Sequence, residues 1–424
     1  MWTSNIFAAV ALASLALPAF AQPGALDPSF GQTGTATMPL GGYATISVKI
    51  RQQPDDAILI AAATARTATD PASVPPGTIQ LVRLLANGTP DTTFGSQGIA
   101  SLSVRDMFIA PVDMQLQPDG KIVVADYIVE VGQYRPPHHG AVTRFNADGS
   151  LDTSFGKAGT VLLTALGGGP QDAPSVLLLQ TDGKILVADS SSEFGQTVLR
   201  LNTDGAPDKG FGVGGIAQIS LNGGATEALA LQSDGKIVAI STVAACLLPN
   251  GTLDPRDAPG TVIASTAAQA LTGGPALAVQ QNDLYIEAGA AGSLLQDIQL
   301  QRFTIGNRRD KSFHDPAFHF ATNAKKQNVS QDYAMAMQQD GSIVVTGRYL
   351  VSPDQKFGLA RVLANGKLDS TFGAHGVLTT SFSGNNARAS AVALQADGNI
   401  IVAGTAASAN EATSALAVAR YLGN

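Results

Sequence analysis

Two short motifs alternate along this chain, and their alternation restricts the fold more than any other feature. The first is fullest at Arg144–Gly156, RFNADGSLDTSFG. Its Arg recurs at Arg83, Arg144, Arg200, Arg302, Arg361 and Arg420. An Asp follows eight residues after the first five of these, at Asp91, Asp152, Asp208, Asp310 and Asp369. A Phe stands three residues further on, at Phe94, Phe155, Phe211, Phe313 and Phe372. A worn copy, Leu247–Ala258, keeps Asp254 but has Cys246 in place of the Arg and Asp257 in place of the Phe. The second motif, Gln-x-Asp-Gly before an apolar run, starts at Gln117, Gln180, Gln232, Gln338 and Gln395, with worn forms at Gln53 and Gln280. Each motif occurs seven times at intervals of roughly 46 to 64 residues, a period that belongs to propellers, solenoids or arrays.

Each period reads as four strands. In the second, Val112–Gln117 alternates, and Pro118-Asp119-Gly120 forms a hairpin in which Gly supplies the positive φ. Lys121–Ala125 is a β-branched run suited to a strand covered on both faces. Ala141–Phe145 and Thr160–Thr164 are the third and fourth strands. No stretch beyond the leader has a helical apolar period. The expectation is an all-β, seven-bladed β-propeller with four-stranded blades.

The two ends complement each other. The chain stops four residues after Arg420, before the Asp, the Phe and a fourth strand. Gly24–Met38 opens with those elements, Asp27 and Phe30 standing at the matching positions. The N-terminal strand is therefore expected to complete the last blade and close the ring, which removes open sheet edges. An open β-solenoid is the alternative.

The motifs LDxSFG, QxDGKIVVAG and ARLNxDG at this spacing resemble the delta-60 repeat of bacterial surface and secreted proteins. That resemblance covers nearly all of residues 22–424. It implies a β-propeller and an exported location, and it implies no activity. The departure falls between blades four and five, where the Arg, the Phe and one Asp-Gly turn are lost.

Residues 1–21 read as a signal peptide. Ile6–Leu17 is apolar but too short to span a bilayer, and Ala19-Phe20-Ala21 fits a cleavage site. Residues 22–424 are then a single propeller domain, secreted or periplasmic. A net charge of −7 argues against nucleic acid or an anionic membrane as partner. The single cysteine, Cys246, permits no internal disulfide; it falls on a predicted inner strand and reads as a small buried apolar residue.

Function is expected where the repeat is interrupted. Insertions join strands two and three: Arg66–Gly77 in blade one, Tyr127–Gly140 in blade two and Ser190–Gln196 in blade three, with Tyr349–Phe357 in blade six. They emerge on one face, where Tyr134, His138, His139 and Phe194 are candidate binding residues on solvated loops. Asp148 and Asp152, in Asn-x-Asp-Gly-x-x-Asp, resemble part of a calcium loop, so calcium is the candidate ion; the alternative is a plain turn. His314 and His319 flank Asp315 and Pro316 as a second candidate metal pair. The repeated Arg and Asp read as an ion pair that maintains each blade. No serine-hydrolase elbow, zinc-protease helix, phosphate loop or dinucleotide fingerprint is present. The sequence favours a binding or scaffold module for a surface protein or a polysaccharide. The alternatives are a hydrolase or lyase at the central channel mouth and a calcium-stabilised structural ring.

Overall fold

The computed structural model describes residues 22–40, 44–65, 77–104, 107–130, 138–166, 173–191, 195–219, 226, 228–232, 234–240, 244–255, 272–279, 284–291, 297–304, 309–318, 320, 333–351, 354–382, 385–408 and 414–423. The expected signal peptide and the residues Tyr134, Phe194 and His319 lie outside them.

The chain is a seven-bladed β-propeller of antiparallel sheets. Blade one is Ala44–Gln52, Ile58–Ala65, Gly77–Leu84 and Ile99–Ser103. Blade two is Met107–Leu116, Ile122–Glu130, His138–Phe145 and Thr160–Leu162, and blade three is Ala173–Leu179, Ile185–Ser191, Gly195–Leu201 and Ile216–Ile219. Among the described residues blade four shows three strands, Ala228–Leu231, Ile237–Ile240 and Ala244–Leu247. Blade five is Thr272–Val279, Leu284–Ala291, Asp297–Thr304 and Ala317–Phe318; blade six is Tyr333–Met337, Ile343–Val351, Asp354–Val362 and Val377–Thr380. Blade seven takes Asn385–Leu394, Ile400–Ser408 and Ser414–Tyr421 from one end of the chain and Thr35–Pro39 from the other, with Thr35 opposite Ala419 and Pro39 opposite Ala415. A short 3-10 turn, Leu163–Leu166, is the one helical element among the described residues.

The first strand of each blade packs against the first strand of the next, and Asn385–Leu394 packs against Ala44–Gln52. These seven strands form the axial wall. In blades two, three, four, six and seven the hairpin that follows is closed by the glycine of the Gln-x-Asp-Gly motif, at φ 82° in Gly120 and φ 88° in Gly398. In blade one Asp56 holds the same left-handed position at φ 64°, a place that Asp tolerates better than most residues.

Apolar residues of the second strands alternate between the two seams that a blade borders. In blade two, Ile122 and Val124 pack on Leu59 and Ala61 of blade one, whereas Val123 and Ala125 pack on Ile185 and Val187 of blade three. The seam between blades four and five is filled differently, by Cys246 with Ile240, Tyr285 and Phe303, the last two rings stacked at 5.3 Å. Cys246 is buried, as expected, on the third strand of its blade.

The strands outrun the periodic motif. The stretch expected as a loop in blade six is a hairpin of paired strands, with Val351 opposite Asp354. In blade two the strands reach Glu130 and resume at His138. His138 and His139 are therefore strand residues, opposite Val129 and Ile128, and both are half-buried. The polar and aromatic content of this stretch suggests a solvated loop, yet its alternation is compatible with an extended hairpin.

Candidate functional site

The repeated polar residues form a joint between neighbouring blades. In blade two Arg144 donates through Nε to Asp152 Oδ2 at 2.7 Å, its guanidinium lies 4.4 Å over the Phe155 ring, and its Nη1 donates to the Thr203 carbonyl of blade three. Asp152 Oδ1 accepts the Ser154 N–H and hydroxyl at 3.1 and 2.6 Å, which fixes the turn that delivers Phe155. Lys121, from the other motif, adds an ammonium to Asp152 Oδ2 at 2.8 Å. The ring of Phe155 lies where a Cβ on Gly205 of blade three would come within 3.0 Å, so glycine is required there for contact as well as for φ. The Gly156 N–H completes the joint by donating to the Asp204 carbonyl at 2.9 Å.

The same construction recurs. Arg83, Arg200, Arg302, Arg361 and Arg420 reach the carbonyls of Ala147, Pro249, Ala364, Gly423 and Ala86 in the following blade. Lys184 and Lys236 repeat the role of Lys121 on Asp208 and Asp254. Burial pushes the Asp152 carboxyl up, but Lys121, Ser154 and Arg144 together hold it well below the usual carboxylate range. Charge-assisted bonds and a cation–π contact at six of the joints consume the repeated side chains in holding the ring. Phe155→Ala should cost about 3–5 kcal/mol, because the ring is fully buried between two blades. Urea unfolding of the purified variant measures it, and a loss below about 1 kcal/mol would contradict this account.

The non-repeated polar groups are concentrated on the axial strands of blades one and two. Two residues before the marker Gln stand Arg51 and Gln115, whereas blades three to seven have Leu178, Ala230, Ala278, Ala336 and Ala393. Four residues before it stand Lys49 and Asp113, against Val176, Ala228, Ala276, Ala334 and Ala391. Arg51 Nη2 donates to Asp113 Oδ1 at 2.9 Å. Asp113 Oδ2 accepts the Leu177 N–H at 3.0 Å, and Gln115 Nε2 donates to the Leu177 carbonyl at 3.0 Å. Two side chains of blade two thus satisfy both main-chain groups of Leu177 on the axial strand of blade three. Blades one and two thus carry cross-linked polar side chains at these positions of their axial strands.

At the opposite end of these strands from the Gln-x-Asp-Gly turns, blade two carries Tyr127, Glu130, His138 and His139. The Tyr127 and His138 rings lie 5.1 Å apart on the face toward blade three. His139 lies on the face toward blade one, its Nε2 3.9 Å from Glu130 Oε1 and its Nδ1 buried without a partner. Further down that face is Asp126, 1% exposed. It bonds to Thr143, its Oδ1 has no partner, and burial pushes its carboxyl up to about 8. Asp126 and Asp189 hold the position that is Gly289, Gly347 and Gly404 in blades five to seven. At Gly404 an added Cβ would meet the Arg388 carbonyl at 1.9 Å. In blades two and three a proline, Pro111 or Pro174, faces the Asp just before a bulge in the axial strand. Replacement of glycine by aspartate in an otherwise apolar run is the signal that sequence reasoning passed over.

The candidate metal residues are spread among separate roles. Asp148 is exposed and holds its own turn through Ser150, while both oxygens of Asp152 serve the joint. His314 is exposed, and its N–H donates to the Asn365 carbonyl at 3.0 Å. Among the described residues no three His, Cys, Asp or Glu side chains gather as a metal set. No helix among them is long and apolar enough to cross a membrane.

Comparison with known proteins bears on the architecture. No curated protein matches the chain. Among solved structures, a protein of unknown function from Dyadobacter fermentans DSM 18053 superposes with a TM-score of 0.50 at 8% identity, over 94% of this chain and 100% of that one. Polysaccharide lyase Uly1 gives 0.48 at 9% identity, over 91% and 98% of the two chains. The α-L-arabinofuranosidase Arb93A from Fusarium graminearum gives 0.43 at 9%, over 91% and 97%. Only the fold is read from the first of these, and nothing further from the other two. Residues 53–94, 117–155, 180–211, 232–256, 338–372 and 395–424 match one family model, described as a domain of unknown function (DUF5122) beta-propeller. With one repeat model matched six times around the ring, the chain is a β-propeller domain of unknown function.

Proposed function

We propose that this chain is an exported binding module, secreted or periplasmic, and that it takes a polysaccharide on the hairpin end of blade two. One observation carries the reading: the repeated side chains are committed to the joints, whereas Tyr127 and His138 form a half-buried ring pair on strands that extend past the repeat. The aromatic pair offers a sugar a stacking face. Binding of a panel of soluble polysaccharides by calorimetry tests this. Tyr127→Ala and His138→Ala should each weaken binding at least tenfold, about 1.4 kcal/mol, with the fold intact by circular dichroism. Equal affinity in wild type and both variants would remove this surface from consideration. Absence of any glycan binding would leave a surface protein as the partner class. Release of reducing or unsaturated ends in the same mixtures would instead mark a hydrolase or a lyase, and a melting temperature raised by calcium alone would mark a metal-held ring.

A further inference from the structure

Five of the joints end on the same exposed turn. Its main-chain carbonyl accepts an N–H of the preceding blade: Gly31 donates to Asn87, Gly95 to Asp148, Gly156 to Asp204, Gly212 to Asn250 and His314 to Asn365, at 2.7–3.0 Å. The next residue is in each case a glycine, Gly88, Gly149, Gly205, Gly251 or Gly366, at φ 83–87°. The Oδ1 of the Asn or Asp accepts the N–H two residues on, from Thr89, Ser150, Ala206, Thr252 or Lys367. The turn therefore takes asparagine and aspartate alike.

Asparagine before glycine is chemically labile, because the glycine nitrogen has no Cβ beside it to hinder its attack on the asparagine Cγ. Three of the five turns carry this pair, Asn87-Gly88, Asn250-Gly251 and Asn365-Gly366, and all three asparagines are exposed. The bond from Oδ1 to the N–H two residues on folds the side chain forward over the Asn-Gly peptide bond. The three turns differ in one respect. Asn87 Oδ1 accepts a second bond, from the Thr89 hydroxyl at 2.7 Å, and Asn250 Oδ1 accepts one from the Thr252 hydroxyl at 2.8 Å. At Asn365 the matching residue is Lys367, which brings its N–H at 3.0 Å and no hydroxyl. Two donors on Oδ1 polarise the Cγ carbonyl and stabilise the oxyanion that forms there when the glycine nitrogen adds.

We propose that Asn87 and Asn250 are sites of spontaneous deamidation, promoted by Thr89 and Thr252, and that the isoaspartate product loosens the joint in which it forms. In the first step the glycine amide nitrogen gives up its proton and bonds to the asparagine Cγ. The bond from Cγ to Nδ2 breaks, and the side-chain nitrogen leaves as ammonia. Water then opens the cyclic imide in one of two ways. Breaking the bond between Cγ and the glycine nitrogen leaves aspartate, which blades two and three already carry as Asp148 and Asp204. Breaking the bond between the main-chain carbonyl carbon and that nitrogen leaves isoaspartate, whose chain runs through Cγ and gains a methylene. At Asn87 this product displaces the carbonyl that accepts the Gly31 N–H, in the joint where the two ends of the chain meet. These sites do not depend on the polysaccharide reading.

Incubation of the purified full chain at neutral pH, followed by peptide mapping with mass spectrometry, is the test, and ammonia release is the second readout. Asn87 and Asn250 should convert about tenfold faster than Asn365, which corresponds to roughly 1.4 kcal/mol in the barrier. Asn146 and Asn202, which no glycine follows, should stay intact. Thr89→Val removes an exposed hydroxyl and should slow Asn87 to the rate of Asn365, while Asn250 keeps its own rate. Lys367→Thr should raise Asn365 to the rate of Asn87. Asn87→Asp should melt like wild type, whereas the isoaspartate form at position 87, separated by chromatography, should melt lower. The proposal is overturned if neither Asn87 nor Asn250 converts, if Asn365 converts as fast as they do, if Thr89→Val leaves the Asn87 rate unchanged, or if the isoaspartate form melts like wild type.

Discussion

A chain beginning at Leu40 is expected to lose the monomeric ring and to elute as aggregates. Residues 22–39 supply the outer strand of blade seven, so their removal bares the edge of Ser414–Tyr421. They also supply one whole joint. Arg420 loses Asp27 at 2.8 Å, Ser29 at 2.8 Å and the Phe30 ring 5.0 Å beneath its guanidinium. Phe30 is fully buried against Ile58, Ile60 and Val82 of blade one, and the Gly31 N–H donates to the Asn87 carbonyl at 2.8 Å. The aromatic ring alone is worth about 3–5 kcal/mol, and a stranded buried Arg adds to that loss. The sum approaches the whole stability of an ordinary domain, roughly 5–15 kcal/mol. Size-exclusion chromatography with light scattering reads the outcome. Moving residues 22–39 to follow Asn424 through a short linker should restore the monomer, which separates loss of the joint from general damage. A truncated chain that remains monomeric, with an unchanged melting temperature, would sink the account.

The second large effect is a fall in stability as pH rises from about 4 to about 8. Asp126 keeps its proton in the folded chain up to about pH 8, whereas the unfolded chain releases it near 3.8. Between these values the folded state binds more protons than the unfolded one, so stability decreases as pH rises. At about 1.4 kcal/mol per unit the decrease approaches ~5 kcal/mol across the window. Asp126→Asn mimics the neutral acid at every pH. Its melting temperature should match wild type near pH 4 and exceed it near pH 8, as measured by scanning fluorimetry. The joint carboxylates act in the opposite sense. Asp91, Asp310 and Asp369 are held below the usual range by their Ser, Thr and Arg partners, so their contribution is present above about pH 4 and is lost on acidification. Parallel pH profiles for wild type and Asp126→Asn would remove Asp126 as the cause of this loss.

The architecture was legible because each joint needs the same Arg, Asp and Phe at the same spacing, and the spacing survives where other residues vary. The link from Lys121 to Asp152 was not legible. The two residues are 31 apart in sequence and belong to what read as two independent motifs. The placement of His138 and His139 was misjudged because polar and aromatic residues resemble a loop until their register against Ile128 and Val129 is known. The polar axial wall was written openly, as Arg51, Asp113 and Gln115 against alanines, but only the ring shows that these positions face one another across three blades.

Each joint has one partner whose side chain is immaterial. In six of the seven repeats a guanidinium grasps a main-chain oxygen, and the residues that own those oxygens are Ala, Ala, Thr, Pro, Ala and Gly. At this bond a blade meets the backbone of its neighbour and not a side chain. This bond makes no demand on the side chain of the residue it meets, so that residue can vary from repeat to repeat without loss of the contact. One repeat, the fourth, has lost its own guanidinium at Cys246, and the remaining joints hold the circle.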